Sequence, residues 1–502
     1  MQVSYTCRGA LHPARNLNNF KQSFGSHWLN LSKRFYTHHA QNYPSISISN
    51  NFPIKCLSYR LSDYSNIQNE IAQDKIAKYL RPSLQNWNGE QTEKKQRQTL
   101  LLLATPKHAA WLETHSIQAL LDKLMLPVSH QNASELDVIC ACVDGLAPSI
   151  AELSSKIEHN REGISILLGT TTVDSTDLLY GASAPAVTSD QKCSLQFHIN
   201  HDDNVLPYCQ ITTPLANTIF TNGRRSTLLI SRWQKKGGNL AIVKRPSHRL
   251  KASINLSISR SESFFDIPVS PLTFPRKIQS GLGNIVRRLI IEGSSVVPAS
   301  QELEKAVIET NKTPNKNHDN NVWAMIMPPG MTRQEDKTGH DYSHIKELIV
   351  RGAKLYRVLS GGGGWGNKEG LLALDPETSF EGQHFAGINL PNNNTKYPEK
   401  YTDALTNIAQ EGASIQFYRA ISRKPSGITQ HRCTTENQIV IGSISSTVDE
   451  IVSASDPGTA FIAGHFGCVS ESGIFFQSAE NLPTKIDVPH SYFYGQRSNA
   501  TI

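Results

Sequence analysis

The sequence has no apolar run approaching the roughly 18 residues that a membrane-spanning helix requires, so a helical membrane protein is excluded. Its eight cysteines include no Cys-x-x-Cys pair, which argues against a disulfide framework and a structural zinc ribbon. No Gly-x-Ser-x-Gly elbow is present, and the chain's one long glycine run leads into Asn367-Lys368 instead of the Gly-Lys-Ser/Thr of a phosphate loop. No cofactor is therefore indicated. What remains is ordinary: 502 residues, 38% hydrophobic and 19% charged, with Gly 32 and Pro 25. That composition excludes collagen-like and wholly disordered chains, and the length predicts about two to four domains.

Acidic residues are missing altogether from residues 1–60, which hold Arg8, Arg15, Lys21, Lys33, Arg34, Lys55 and Arg60. This stretch carries the whole net charge of +7, and residues 61–502 balance 43 bases against 43 acids. Leu17, Phe20, Phe24, Trp28 and Leu31 share one helical face, with Arg15 and Lys21 off it. An acid-free, arginine-bearing amphipathic leader without a continuous apolar core fits a mitochondrial transit peptide better than a secretory signal. Arg34-Phe35-Tyr36 puts the expected cleavage after Tyr36, giving a 1–36 leader and a matrix location.

Residues 37–95 read as a polar lead-in. Thr99–Thr105, Asp137–Val143 and Ile164–Gly169 read as buried strands, with helices through Ile117–Leu124 and Pro148–Ile157 between them. Strand and helix in alternation predict a small parallel α/β sheet. Thr218–Phe220 and Thr227–Trp233 flank Asn222-Gly223, a strong hairpin signal, and Leu240–Val243 and the alternating Ile254, Leu256 and Ile258 extend it to an antiparallel meander. Ile278, Leu282, Ile285 and Leu289 recur at helical spacing, and a second helix follows at about 300–310. The polar residues 309–321 separate 96–308 from 322–502, where Val322–Met327 and Leu355–Leu359 read as strands around a helix at Tyr342–Lys354. The expected class is α/β: a parallel sheet, a β meander and a mixed α+β C-terminal half.

Ser360-Gly361-Gly362-Gly363-Gly364-Trp365-Gly366-Asn367-Lys368-Glu369-Gly370 follows a strand directly. Successive glycines can turn their N–H groups toward one point, and Lys368 adds a positive charge, so this segment suits a phosphate or carboxylate. A tight turn plugged by Trp365 is the alternative. Residues 204–261 contain no acid and ten bases, among them Arg224, Arg225, Arg232, Lys235 and Lys236, a ribbon that suits RNA phosphates or anionic lipid headgroups unless it only shields strand edges from pairing. His465, Cys468 and Glu471 have the chemistry of a nucleophile with its base and orienter, although a glycine-permitted hairpin explains them as well. His340 and His344 lie one turn apart, but Asp341 stands where a zinc protease needs Glu, and Cys193, His198, His201, Asp202 and Cys209 lack paired ligand spacing, so no metal site is expected.

The strand Thr99–Thr105 with its helix, then Ile164–Thr172 (ISILLGTTT), and the closing AFIAGHFGCVSESGIFF together resemble the FIST sensory domain, with both its N-terminal and C-terminal parts, of the type seen in uncharacterised fungal mitochondrial relatives. The resemblance covers about residues 95–480, and Ser360–Gly370 has no counterpart in it. It implies a non-catalytic sensor of a small ligand, with Gly169, Thr170 and Thr171 in the turn bordering the cleft. The expected function is binding of a small anionic metabolite between Gly169–Thr171 and Gly361–Gly366. The alternatives are an RNA-binding or mitoribosome-associated factor acting through the basic ribbon, and an enzyme using the glycine loop or Cys468.

Overall fold

The computed structural model describes residues 46–47, 55–61, 66–85, 96–125, 135–154, 161–172, 187–201, 209–236, 239–258, 263–291, 295–311, 321–331, 343–361, 370–380, 408–421, 437–446, 459–478 and 481–496. The expected leader with its cleavage after Tyr36, most of the polar insertion, Gly362–Lys368 and His340–Tyr342 lie outside the described residues.

The fold is mixed α/β, and the described residues build four sheets. A seven-strand sheet has the order β21 (Ala460–Ala463), β2 (Lys55–Arg60), β5 (Gly163–Thr172), β3 (Gln96–Ala104), β4 (Glu135–Cys142), β8 (Leu228–Lys236), β9 (Asn239–His248). A six-strand sheet has β1 (Ile46–Ser47), β10 (Lys251–Ile258), β6 (Ser194–His201), β7 (Cys209–Pro214), β23 (Ile474–Ser478), β24 (Thr484–Ile486). A four-strand sheet runs β11 (Phe264–Asp266), β25 (Tyr492–Gln496), β20 (Gln438–Ser443), β22 (His465–Ser470). The largest sheet runs β12 (Val269–Pro271), β19 (Ser414–Ala420), β13 (Arg276–Leu282), β14 (Ile285–Ile290), β18 (Leu372–Leu374), β17 (Lys354–Gly361), β16 (Val322–Met327), with β15 (Val296–Pro298) beside β14. Because β16 also pairs β19, the strands from β19 through β13, β14, β18, β17 and β16 return to β19 as a closed ring.

Strand alternation divides the interior. Along β3, Leu100, Leu102 and Ala104 face one core with α1 (Asn66–Gln85) and α2 (Thr114–Met125), while Leu101 and Leu103 face a second core shared by all four sheets. Along β16, Trp323, Met325 and Met327 join that second core, whereas Val322, Ala324 and Ile326 join a third, which includes Ala299 and Leu303 of α5 (Ala299–Asn311). Both sides of the polar stretch 309–321 therefore contribute to one core. Near-continuous apolar runs such as TLLLLA arise because these strands are buried on both faces.

The structure departs from the sequence reading in several elements. The N-terminal sheet is parallel only between β3 and β4, and β5 runs antiparallel to β3. A strand buried on both faces has the same composition in either direction, so its run does not encode orientation. The meander keeps its β8–β9 pair, but β10 leaves that sheet and pairs in parallel with β6. The Asn222-Gly223 turn closes one helical turn, α4 (Ile219–Asn222), with Gly223 at φ 73°, downstream of the short helix α3 (Ile150–Ser154). Asn-Gly supplies a left-handed residue whichever element it ends. The apparent helix through Ile278 and Leu289 is the β13–β14 hairpin around Gly283-Asn284, in which Leu282 is exposed. A Cβ at Gly281 would stand 2.4 Å from the Ala409 carbonyl oxygen, an approach only glycine allows.

Candidate functional site

β17 and β18 are antiparallel, with Gly361 opposite Leu372, so the glycine segment is the connection between them. Its two described ends meet the start of α5. Gly370, at φ +81°, packs on Pro298, and its carbonyl accepts the Ser300 N–H at 3.3 Å. A Cβ on Gly361 would lie 2.7 Å from Leu372 Cδ1 and 3.8 Å from Ser300 Cβ. Trp365 and Lys368 lie outside the described residues. Gly169, Thr170 and Thr171 are not in a turn: they continue β5, opposite Thr99, Gln98 and Arg97 of β3. The two segments expected to border one cleft thus belong to different sheets.

The other end of α5 holds a group that the sequence did not single out. Arg419 on β19 lies opposite Val322 and is buried, on the strand face that carries Ile415 and Phe417. Nη2 donates to Asn311 Oδ1 at 2.8 Å. Nε and Nη1 are buried without a hydrogen-bond partner, and among the described residues no carboxylate is paired with this guanidinium. A buried charge without a counter-ion is costly. The only hint in the sequence is a base inside the apolar run Phe417-Tyr418-Arg419-Ala420.

A polar hub joins β2, β5 and β22. Ser58 Oγ lies 2.9 Å from both Ser165 Oγ and His465 Nδ1, and Ser165 Oγ accepts the Gly467 N–H at 3.1 Å. Arg60 of β2 sits beside it, pairing with Glu152 at 3.0 Å and donating to the carbonyls of Leu146 and Ala147. Ser149 caps α3 by accepting the Glu152 N–H at 3.3 Å, and the Glu152 carboxylate accepts the Ser149 N–H in return. Burial, aided by Arg60, lowers His465 to about 4, against a smaller opposing pull from Glu152 and the Pro148 carbonyl. The imidazole is neutral, and the hub is closed to solvent.

The hub dismantles the constellation of His465, Cys468 and Glu471. His465 and Cys468 are three apart on one strand and face opposite sides, His465 to Ser58 and Cys468 into the shared core. Burial pushes the Cys468 thiol up to about 12, the reverse of what a nucleophile requires. Nor is the region a hairpin: β21, β22 and β23 follow one another in sequence but lie in three different sheets. Glu471 contributes its N–H to Asp144, whose carboxyl burial raises to about 6.

The basic ribbon is likewise dispersed. Arg232 is buried on Asp137, with Nε to Oδ1 at 2.7 Å and Nη2 to Oδ2 at 3.2 Å. Lys235 donates to the Met125 carbonyl at 3.1 Å, and Lys236 ends β8. Arg224 and Arg225 stay at the surface beside α4. β9 is the edge of its sheet, with Lys244, Arg245 and Pro246 along it, as expected of bases that discourage edge pairing. A cleft of about 310 Å³ between α1 and α2 is lined by Asn69, Gln73, Trp111 and Lys123, but these already bond within the chain. No group of three or more His, Cys, Asp or Glu positioned for a metal occurs among the described residues. No helix among them is long and apolar enough to cross a membrane. No protein-family model, curated protein or solved structure matches the chain.

Proposed function

We propose that the chain is a non-catalytic binding protein for a small oxyanion, in the sensory or accessory manner that the FIST-like pattern implies, that Arg419 receives the anion, and that the mitochondrial matrix is where it acts. The observation that carries this reading is the buried Arg419 guanidinium, whose one hydrogen bond among the described residues is to neutral Asn311. A carboxylate or phosphate oxygen would complete it with charge-assisted hydrogen bonds. Capping the C-terminus of α5 is a second use for this cation, but that attraction is of order 1 kcal/mol and leaves two buried N–H edges unfilled.

Thermal melting of the full chain with inorganic phosphate, citrate or acetate, against chloride at equal ionic strength, tests the reading. An oxyanion at about 100 times its Kd stabilises the fold by about 2.7 kcal/mol. Arg419→Gln removes that increment, and in the absence of the anion it relieves the fold of a buried charge that has no counter-ion. An undiminished increment in Arg419→Gln, or indifference of the parent to every oxyanion, refutes the assignment.

A further inference from the structure

The one-turn helix α4 forms a tip with an unusual side chain on it. Phe220 is fully exposed and Ile219 is half-exposed, although each would gain by burial. The tip is held rigidly. Asn217 Oδ1 accepts the Ile219 N–H, Thr218 Oγ1 lies 2.8 Å from Thr227 Oγ1 and donates to the Arg224 carbonyl, and Asn222 Oδ1 accepts the Arg224 N–H. Gly223 closes the turn with nothing within 4 Å of where a Cβ would be, so the surface is convex. Backbone bonds gather four bases around it from separate stretches of chain. The Arg225 N–H reaches the Ser189 carbonyl at 2.7 Å, Cys193 N–H reaches Ser226 Oγ at 2.6 Å, and Arg249 N–H reaches the Leu228 carbonyl at 3.0 Å. Lys192, Arg224, Arg225 and Arg249 therefore share this pole, each at least partly exposed, with Asp190 as the carboxylate facing Arg225. Burial, and then Arg224, lower the pKa of His248, so it adds no charge at neutral pH.

We propose that this tip docks on an anionic phospholipid surface, with Ile219 and Phe220 entering the interface and the surrounding bases meeting headgroup phosphates. Among the described residues the charge is complementary, four bases against one carboxylate. Single-stranded RNA suits the tip less well, because RNA is tracked along a basic groove and stacked on flat faces. Here the surface is convex, Ile219 offers no flat face, and Arg232 is turned inward on Asp137. Contact of this size gives weak, reversible, salt-sensitive binding.

Co-sedimentation of the full chain with vesicles of phosphatidylcholine alone, or with about one-third phosphatidylglycerol, reads the proposal directly. The parent should partition only onto the anionic vesicles. Phe220→Ala, which removes a side chain fully open to solvent and so spares the fold, should weaken partitioning about tenfold with an unchanged melting temperature. Arg225→Glu should abolish the preference for anionic lipid. Phe220→Trp should show blue-shifted emission on the same vesicles. Parental partitioning in Phe220→Ala, unshifted emission in Phe220→Trp, or indifference of the parent to anionic vesicles overturns the proposal; RNA binding in place of lipid binding overturns it in favour of RNA.

Discussion

Replacing His465 by Asn tests the hub through its pH dependence. Asn can still bond Ser58 Oγ from about the position of Nδ1, but it does not titrate. In the folded chain His465 is lowered from 6.5 to about 4 by burial and then by Arg60. The unfolded chain therefore takes up a proton near pH 6.5 that the folded chain refuses until about 4. The neutral imidazole's contribution is intact above pH 6.5 and is lost as pH falls through that window. At one pKa unit per 1.36 kcal/mol the loss is about 2 kcal/mol by pH 5 and about 3 kcal/mol by pH 4. His198, also lowered to about 4 by burial and Lys251, adds to the acid sensitivity of the parent. Asp144, raised to about 6, opposes it, because its buried carboxyl favours the proton that acid supplies. Both remain in the variant, so they cancel in the difference between parent and variant. Urea unfolding of the two chains from pH 7 to pH 4.5 should show His465→Asn less stable at neutral pH, with the gap closing by about 2 kcal/mol toward pH 5. Stability curves that stay parallel across that range would refute a neutral, buried imidazole at this position.

Two further outcomes are expected. Asp137→Ala strands the buried Arg232 guanidinium and should cost about 3–5 kcal/mol in denaturant unfolding, whereas Asp137→Leu with Arg232→Met should recover most of that, because removing both charges leaves no unpaired ion. Equal losses in the single and double variants would contradict a buried pair. Residues 1–60 fused to a fluorescent protein should carry it into mitochondria and lose about 36 residues there, and Arg15→Glu with Lys21→Glu and Arg34→Glu should leave it outside and uncut; delivery that survives those changes removes the import reading.

The strands were legible in the sequence and their partners were not. Leu100–Ala104, Val138–Val143 and Val322–Met327 announce themselves as runs of apolar residues, because each is buried on both faces. Which strand lies alongside depends on residues far away. Ser58 and His465 are 407 positions apart, and β21, β22 and β23 pass through three sheets within nineteen residues of chain, so a local window sees three apolar segments and infers a hairpin. The same limit explains the site. Acid-free residues 204–261 look like one basic ribbon only until Asp137, from 95 positions upstream, takes Arg232 out of it. β10 then carries Lys251 into another sheet, where burial lowers its pKa to about 8. What the fold assembles instead is a pole from Lys192, Arg224, Arg225 and Arg249, one of which lies outside that segment. Arg419 shows the converse: an inconspicuous base within a strand becomes the uncompensated charge because no acid of the described fold is brought to it. In this chain a base acquires its role from what the sheets bring beside it, so the isolated cation of the ring and the clustered cations of the α4 tip point to different anions, one small and enclosed, the other an extended surface.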